Sequence, residues 1–183
     1  MKMTVPEWNK HISSQIQGGF FEQDMVVQRE EIEKLKDDEI YLEIGVDEGK
    51  SLCTARYYAK DTVWTIGVDM TDPPARAPFM NMPFGYSPQG QALVSPNKKF
   101  IYIHADANMM AQLWTKPISL LFIDGDHSYE GVKSDTLNWE KHVKKGGTIL
   151  FHDYDSLPVK EWIDEYYGKK AEILHNKVVR VRK

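Results

Sequence analysis

Short apolar runs alternate with polar, helix-spaced segments through most of the chain after residue 38. Residues 40–44, 63–68, 100–104 and 118–123 are runs rich in β-branched and aromatic side chains, and a fifth, 148–151, follows the pair Gly146-Gly147. Runs this short, bounded by turn residues, predict strands of a parallel sheet covered on both faces. Between them, Leu52, Ala55 and Ala59 recur at helical spacing after Gly49. Val132, Thr136, Trp139 and Val143 do the same after the turn Asp124-Gly125-Asp126-His127. Val159, Trp162, Ile163 and Tyr166 form a third stripe, with Ser156 placed as an N-cap and Pro158 in the first turn. Strand alternating with helix predicts βαβ units, and hence a doubly wound α/β fold with helices on both faces of a mostly parallel sheet. The tail 171–183 reads as two short strands joined by a tight turn at Asn176. It brings the sheet to seven strands and closes it with an antiparallel one.

Two regions fall outside this pattern. Residues 5–36 read as one or two helices, so that 1–37 forms a helical extension before the first strand. Residues 71–99 contain Pro73, Pro74, Pro78, Pro83, Pro88 and Pro96, interleaved with Phe79, Met80, Met82, Phe84 and Tyr86. A long connection of this kind is expected to be a lid over the substrate, or else a surface cover packed by its own aromatics.

Composition narrows the class without changing the fold. The 183 residues suit one domain, 1–183, with 42% apolar and 27% charged residues. A net charge of −4 with the signs interspersed gives no electrostatic reason to expect nucleic acid or an anionic membrane as partner. The single Cys53 cannot form an internal disulfide, and a reducing cytoplasm is the expected compartment. The first residues carry no apolar run of signal-peptide type, and nothing approaches the roughly 18 continuous apolar residues of a membrane helix. No internal repeat or low-complexity tract is present.

The chemistry gathers at strand ends. The first strand runs into Glu43-Ile44-Gly45-Val46-Asp47-Glu48-Gly49 and then a helix. At the carboxyl end of a central strand the chain must turn sharply while a ligand approaches its backbone, and glycines at 45 and 49 allow both. The spacing is not the dinucleotide fingerprint G-x-G-x-x-G, because the glycines are four apart and an acid precedes the first by two positions. An amino-acid-bearing nucleoside has an ammonium group, whose field Glu43 or Asp47 can supply; a plain strand-to-helix turn is the bland alternative. The second strand ends at Asp69, about 20 residues beyond the glycine turn, where an acid accepts from ribose hydroxyls. The third ends in His104-Ala105-Asp106, whose carboxylate can accept from an adenine amine. Either acid, taken alone, is more often a helix N-cap; three such strand ends in order are harder to dismiss.

The series EIGVDEG, IGVD and HADA resembles the successive cofactor motifs of class I S-adenosylmethionine-dependent methyltransferases, with their Rossmann-like fold, over nearly all of residues 38–183. Asp47 stands where that family usually has its middle glycine. The resemblance implies that Glu43, Gly45 and Gly49 line the methionine and ribose region, Asp69 the ribose and Asp106 the adenine. Asp47, Ser51, Met70, Ala107 and Asp124 complete the cofactor set that it implies.

The stretch Leu121-Phe122-Ile123-Asp124-Gly125-Asp126-His127-Ser128-Tyr129-Glu130 delivers two carboxylates and an imidazole to the end of a buried strand. The next strand delivers Phe151-His152-Asp153-Tyr154-Asp155 beside it. Adjacent strands lie about 5 Å apart, so the two clusters should converge. Oxygen-rich clusters suit a hard divalent cation, which can orient a substrate hydroxyl and lower its pKa while a carboxylate or His removes the proton. This stretch resembles the metal-dependent O-methyltransferases of the macrocin, mycinamicin and aminocoumarin-sugar type, and more distantly catechol O-methyltransferase. Carried over, Asp124 and Asp153 are metal ligands, with His152 beside them, and Asp126 is the general base, with His127 a second catalytic candidate. His152 departs from the pattern, which mostly has a second Asp there; histidine ligates Mn²⁺, Fe²⁺ or Zn²⁺ but is a poor Mg²⁺ ligand. The bland readings are a helix cap for Asp126, a hydrogen-bonded core histidine for His152, and a solvent-facing His127.

The sequence therefore predicts metal-assisted O-methylation of a small hydroxylated acceptor, with S-adenosylmethionine and Mg²⁺ or Mn²⁺ as cofactors. A homodimer is expected by resemblance alone. Two other classes stand beside it. One is an S-adenosylmethionine-binding accessory protein without methyl transfer, disfavoured by the clustering of mutually repelling carboxylates. The other is a nucleotide-dependent oxidoreductase, disfavoured by the glycine spacing.

Overall fold

The computed structural model describes residues 2–70 and 99–183, together with the backbone of 85–86 and 92–95. In chain order the elements are α1 (Val5–Ser13), α2 (Glu22–Ile32), β1 (Ile40–Ile44), α3 (Lys50–Tyr58), β2 (Trp64–Asp69), β3 (Gly85–Tyr86) and β4 (Ala92–Ser95). They continue with β5 (Phe100–His104), α4 (Ala107–Leu113), β6 (Ile118–Ile123), α5 (Tyr129–Trp139), β7 (Val143–Phe151), α6 (Leu157–Tyr167), β8 (Ala171–His175) and β9 (Val178–Arg182).

The strands form one sheet in the order β3-β4-β5-β2-β1-β6-β7-β9-β8. β5, β2, β1, β6 and β7 are parallel neighbours, and β9 runs antiparallel to both β7 and β8. The seven strands from β5 to β8 make the expected doubly wound sheet with its antiparallel last strand. β3 and β4 add an antiparallel edge beside β5, where the sequence predicted irregular chain. The rest of the 71–99 segment, expected as a lid, lies outside the described residues.

Both faces of the central strands are buried, and alternate side chains enter different cores. Tyr41, Phe122 and Leu150 pack with Trp8, Ile12, Met25 and Leu52 from α1, α2 and α3. Leu42, Leu121, Ile123 and Ile149 pack on the other face with Ala111, Val132, Trp139 and Trp162 from α4, α5 and α6. Indole donors join the covering helices: Trp8 to Thr54 Oγ1 at 3.0 Å and Trp162 to Thr136 Oγ1 at 3.1 Å. β1 lies between β2 and β6, so the connections leave it in opposite directions and a crevice opens at its carboxyl end.

Two boundaries differ from the pattern reading. α5 stops at Trp139, and Val143 opens β7 after a short 3-10 turn. The pair Gly146-Gly147 does not precede the fifth strand but lies inside β7, where the register against β6 shifts and Gly146 adopts φ 77°. A bulge tolerates glycine in a strand interior, and the sequence pattern cannot tell that from a turn. Tyr166, placed on the buried stripe of α6, is 42% exposed at its edge and hydrogen-bonds Glu140 instead.

Candidate active site

The turn from β1 to α3 is built on left-handed backbone: Gly45 at φ 79°, Asp47 at φ 48° and Gly49 at φ 83°. A Cβ at Gly45 would lie 2.0 Å from the carbonyl oxygen of Asp124, so only glycine lets the turn pass against the end of β6. Asp69, at the end of β2, accepts from the amides of Val46 at 2.5 Å and Asp47 at 2.9 Å through the same Oδ2, and this braces the turn.

Glu43 lies beneath that turn and does not line the crevice, contrary to the sequence expectation. Its position on a strand with both faces covered leaves it fully buried, accepting from Tyr41 Oη and from Ser51 Oγ at 2.6 Å. Burial pushes its carboxyl up to about 8; the two hydroxyl donors oppose the rise, and the charges of Asp124 and Asp69 add to it. Gly49, at the N-cap of α3, likewise shapes the turn without lining the crevice.

The remaining expected residues converge. One cavity of about 550 Å³ is lined by Gly45, Asp47, Ser51, Asp69, Met70, Asp106 and Ala107, and also by Asp124, Asp126, His127, His152 and Asp153. That size suits a cofactor or small ligand. Asp106 reconciles its two readings, because it caps α4 by accepting from the Met109 amide at 2.8 Å and faces the cavity as well. Asp126 is not the cap of α5; that role falls to Ser128, whose Oγ accepts from the Gly131 amide. Asp126 accepts from the Ser128 amide at 2.9 Å and lies against Gly131, where a Cβ would meet its carboxylate.

The ends of β6 and β7 bring together Asp124, His152 and Asp153, each offering a ligand atom within 4.8 Å of the others. His152 Nδ1 is 3.1 Å from Asp124 Oδ1 and 3.4 Å from Asp153 Oδ1. His127, half exposed, reaches Asp124 at 3.4 Å and Asp153 at 3.3 Å, so it faces the cluster rather than solvent alone. Its imidazolium is held above the ordinary value by the hydrogen bond to Asp124, against partial burial. Burial pulls the His152 imidazolium down, but Asp124, Asp153 and Asp24 outweigh it and hold it well above that value. The His152 bond and, against some burial, the Lys177 ammonium at 2.9 Å hold Asp153 well below the usual carboxylate range. Asp153 itself adopts φ 52°, a conformation uncommon outside glycine and frequent at functional sites. Two carboxylates and one imidazole in this spacing fit a divalent cation, and the nitrogen favours Mn²⁺, Fe²⁺ or Zn²⁺ over Mg²⁺.

The structure adds residues that the motifs did not single out. The loop 17–20 between α1 and α2 forms one wall, and its Gly18-Gly19 pair was the available signal. Lys50, at the start of α3, is only 7% exposed, and burial lowers its ammonium; its Nζ lies 5.8 Å from the Phe21 ring. Asp135 also lines the cavity, and burial, with the nearby Asp126 charge, pushes its carboxyl up to about 6. Asp24 stands behind His152, with its Oδ2 3.4 Å from Nε2. Among the described residues no helix is long and apolar enough to cross a membrane.

A family model described as a methyltransferase domain matches residues 42–154. An uncharacterized protein, R132, of Acanthamoeba polyphaga mimivirus is 35% identical over 132 residues, covering 65% of this chain and 53% of that protein. The chain thus spans about half the length of that curated relative. Among solved structures, CalS11, a TDP-rhamnose 3'-O-methyltransferase of calicheamicin biosynthesis, superposes with a TM-score of 0.61 at 13% identity, over 97% of this chain and 92% of that one. MycE of mycinamycin biosynthesis, in complex with Mg, S-adenosylhomocysteine and mycinamycin VI, gives 0.65 at 16% identity, over 99% of this chain and 55% of that one. An O-methyltransferase from Bacillus cereus in complex with S-adenosylhomocysteine gives 0.66 at 12% identity, over 98% and 90%. At these identities the likeness is one of fold.

Proposed function

The chain belongs to the methyltransferase domain family, and from that membership we propose that it transfers the methyl group of S-adenosylmethionine to an oxygen of a small hydroxylated acceptor, assisted by a divalent cation. One observation carries the finer reading: Asp124, His152 and Asp153 gather their ligand atoms within 4.8 Å inside the cavity lined by the glycine turn, Asp69 and Asp106. A protein that only bound the nucleoside would gain nothing from placing two carboxylates against each other there.

In this reading the glycine turn and Asp69 hold the ribose and methionine portion, and Asp106 the adenine. Lys50, buried at the cavity wall, is the counter-ion for the cofactor's carboxylate. Asp124, His152 and Asp153 would hold the cation, which when bound supplies Lewis acidity to an acceptor hydroxyl. The acceptor oxygen attacks the methyl carbon in line with the C–S bond. As the O–C bond forms, the S–C electron pair stays on sulfur and S-adenosylhomocysteine is released. The hydroxyl proton passes to Asp126 or to His127, both at the cavity wall. Placing the acceptor oxygen and the methyl carbon within one site supplies much of the rate.

Two measurements test this function. S-adenosylhomocysteine titrated calorimetrically into the protein should bind at micromolar affinity or tighter, near one site per chain; absence of binding sinks the cofactor class. Asp124→Asn should then abolish Mn²⁺-dependent turnover on an acceptor found by screening while S-adenosylhomocysteine still binds. Unchanged turnover in that variant removes the metal role.

A further inference from the structure

Asp24 lies on α2, outside the residues matched by the family model, and it is 2% exposed. Three groups converge on its carboxylate. Oδ2 accepts from the Phe21 amide at 2.7 Å and lies 3.4 Å from His152 Nε2; Oδ1 lies 3.1 Å from His175 Nε2. α2 is pinned to the sheet behind this contact, because its buried Glu31 pairs with Arg180 at 2.6 Å and Arg182 at 2.9 Å from β9.

The ring of His152 has two nitrogens with different surroundings. Nδ1 faces Asp124 and Asp153 in the cavity, while Nε2 is fully buried and has no neighbour in aligned hydrogen-bond geometry. Phe20 and Phe122 flank the ring with centroids at 5.6 and 6.0 Å, so no polar alternative to Asp24 comes from them. His175 is oriented as well: its Nδ1 accepts from the Lys177 amide at 3.2 Å, which leaves its Nε2, also buried and without an aligned hydrogen-bond partner, as the nitrogen 3.1 Å from Asp24.

We propose that Asp24 is a positioning residue that keeps a proton of His152 on Nε2, so that the proton a divalent cation displaces is the one on Nδ1, which then joins Asp124 and Asp153 as a ligand. The inference rests on the metal-assisted reading above. An imidazole can ligate only through an unprotonated nitrogen, and a carboxylate behind the opposite N–H fixes which one that is. The N-terminal extension therefore contributes to the cation site through a side chain that does not line the cavity.

The test is Mn²⁺ affinity, read from the electron paramagnetic resonance of the free ion, in the full chain. Asp24→Asn keeps an acceptor for the Phe21 amide but removes the charge. It should weaken Mn²⁺ binding by about 10- to 100-fold. S-adenosylhomocysteine affinity measured without metal should stay within about twofold, a reading that the weakening is not unfolding. In a His152→Asp background, which has no ring proton to hold, Asp24→Asn should cause no further weakening. Equal Mn²⁺ affinity in wild type and Asp24→Asn overturns the role of Asp24 alone. The same loss in the His152→Asp background assigns it to the fold and also overturns the proposal. Absence of Mn²⁺ binding by the wild type overturns the metal reading itself, and the proposal with it. Should Asp24→Asn not fold, the wild type still decides: in Zn²⁺-loaded protein the ¹⁵N shifts of His152 should show Nε2 protonated and Nδ1 metal-bound. The reverse assignment overturns the role of Asp24.

Discussion

Ser51 donates a 2.6 Å hydrogen bond to Glu43, tying the first turn of α3 to the buried middle of the sheet beneath the crevice. Tyr41 donates to the other carboxylate oxygen and itself accepts from Gln28 at 2.8 Å, so four polar side chains from α2, β1 and α3 share one buried network. The turn that carries Gly45 and Gly49 spans the segment between Glu43 and Ser51, the two ends of that bond.

The network makes stability depend on pH through Glu43. Its carboxyl lies at about 8 in the folded protein, mainly through burial, against 4.5 unexposed to that environment. The folded state therefore holds this proton more tightly than the unfolded chain does. The contribution to stability is fully present below about pH 4.5 and is lost as pH rises to about 8, at up to about 1.4 kcal/mol per pH unit. Urea denaturation of Glu43→Gln should show a shallower fall of stability than the wild type between pH 5 and pH 8, on the order of 1–3 kcal/mol in the difference. Parallel pH dependences for the two proteins would show that Glu43 is ionised on both sides of folding.

At Gly45 the turn that follows β1 passes directly against the end of β6. A methyl group there would sit 2.0 Å from the Asp124 carbonyl oxygen, on backbone at φ 79° that disfavours any Cβ. Neither neighbour is a flexible side-chain end that can swing away. Gly45→Ala should cost at least about 2 kcal/mol in chemical denaturation, adding left-handed strain to overpacking. It should also reduce S-adenosylhomocysteine affinity by more than tenfold, because relief requires the turn to lift off the Asp124 strand end. Wild-type stability with normal affinity would contradict the contact.

What the sequence made legible follows from where each signal resides. Strand-end acids sit next to their own motif, so Asp69, Asp106, Asp124 and Asp153 could be singled out from local pattern, and the sheet places all four at one cavity. Glu43 was assigned to the right turn but the wrong side of it, because an acid in a buried strand looks the same in sequence whether it faces ligand or core. The glycine pair 146–147 was read as a boundary for a similar reason: a bulge within β7 and a turn before it have the same composition. Asp24 and Lys50 were invisible for another reason. Their significance comes from contacts with His152 and Phe21 that only the packing of α2 against β7 and α3 creates. Hydrophobic periodicity placed α3, α5 and α6 but not the short α4, and it gave no order of contact.

Lys50 offers the most direct check on which end of the cavity receives which part of the cofactor. The residue is buried, and its ammonium has the Phe21 ring at 5.8 Å and the more distant Asp24 charge as surroundings. Among the described residues no carboxylate pairs closely with it, and a ligand carboxylate would supply that partner. Lys50→Met preserves the length of the apolar stem and removes the charge. S-adenosylhomocysteine should bind this variant roughly 10- to 100-fold more weakly, the range of a charge-assisted hydrogen bond of about 1.5–3 kcal/mol. 5'-Methylthioadenosine, which has the nucleoside and sulfur but no amino-acid group, should bind wild type and variant alike. The comparison separates a carboxylate contact from general damage to the turn. An equal loss for both ligands would mean that Lys50 supports the first turn of α3, and the methionine end of the cofactor would then have to lie elsewhere along the cavity.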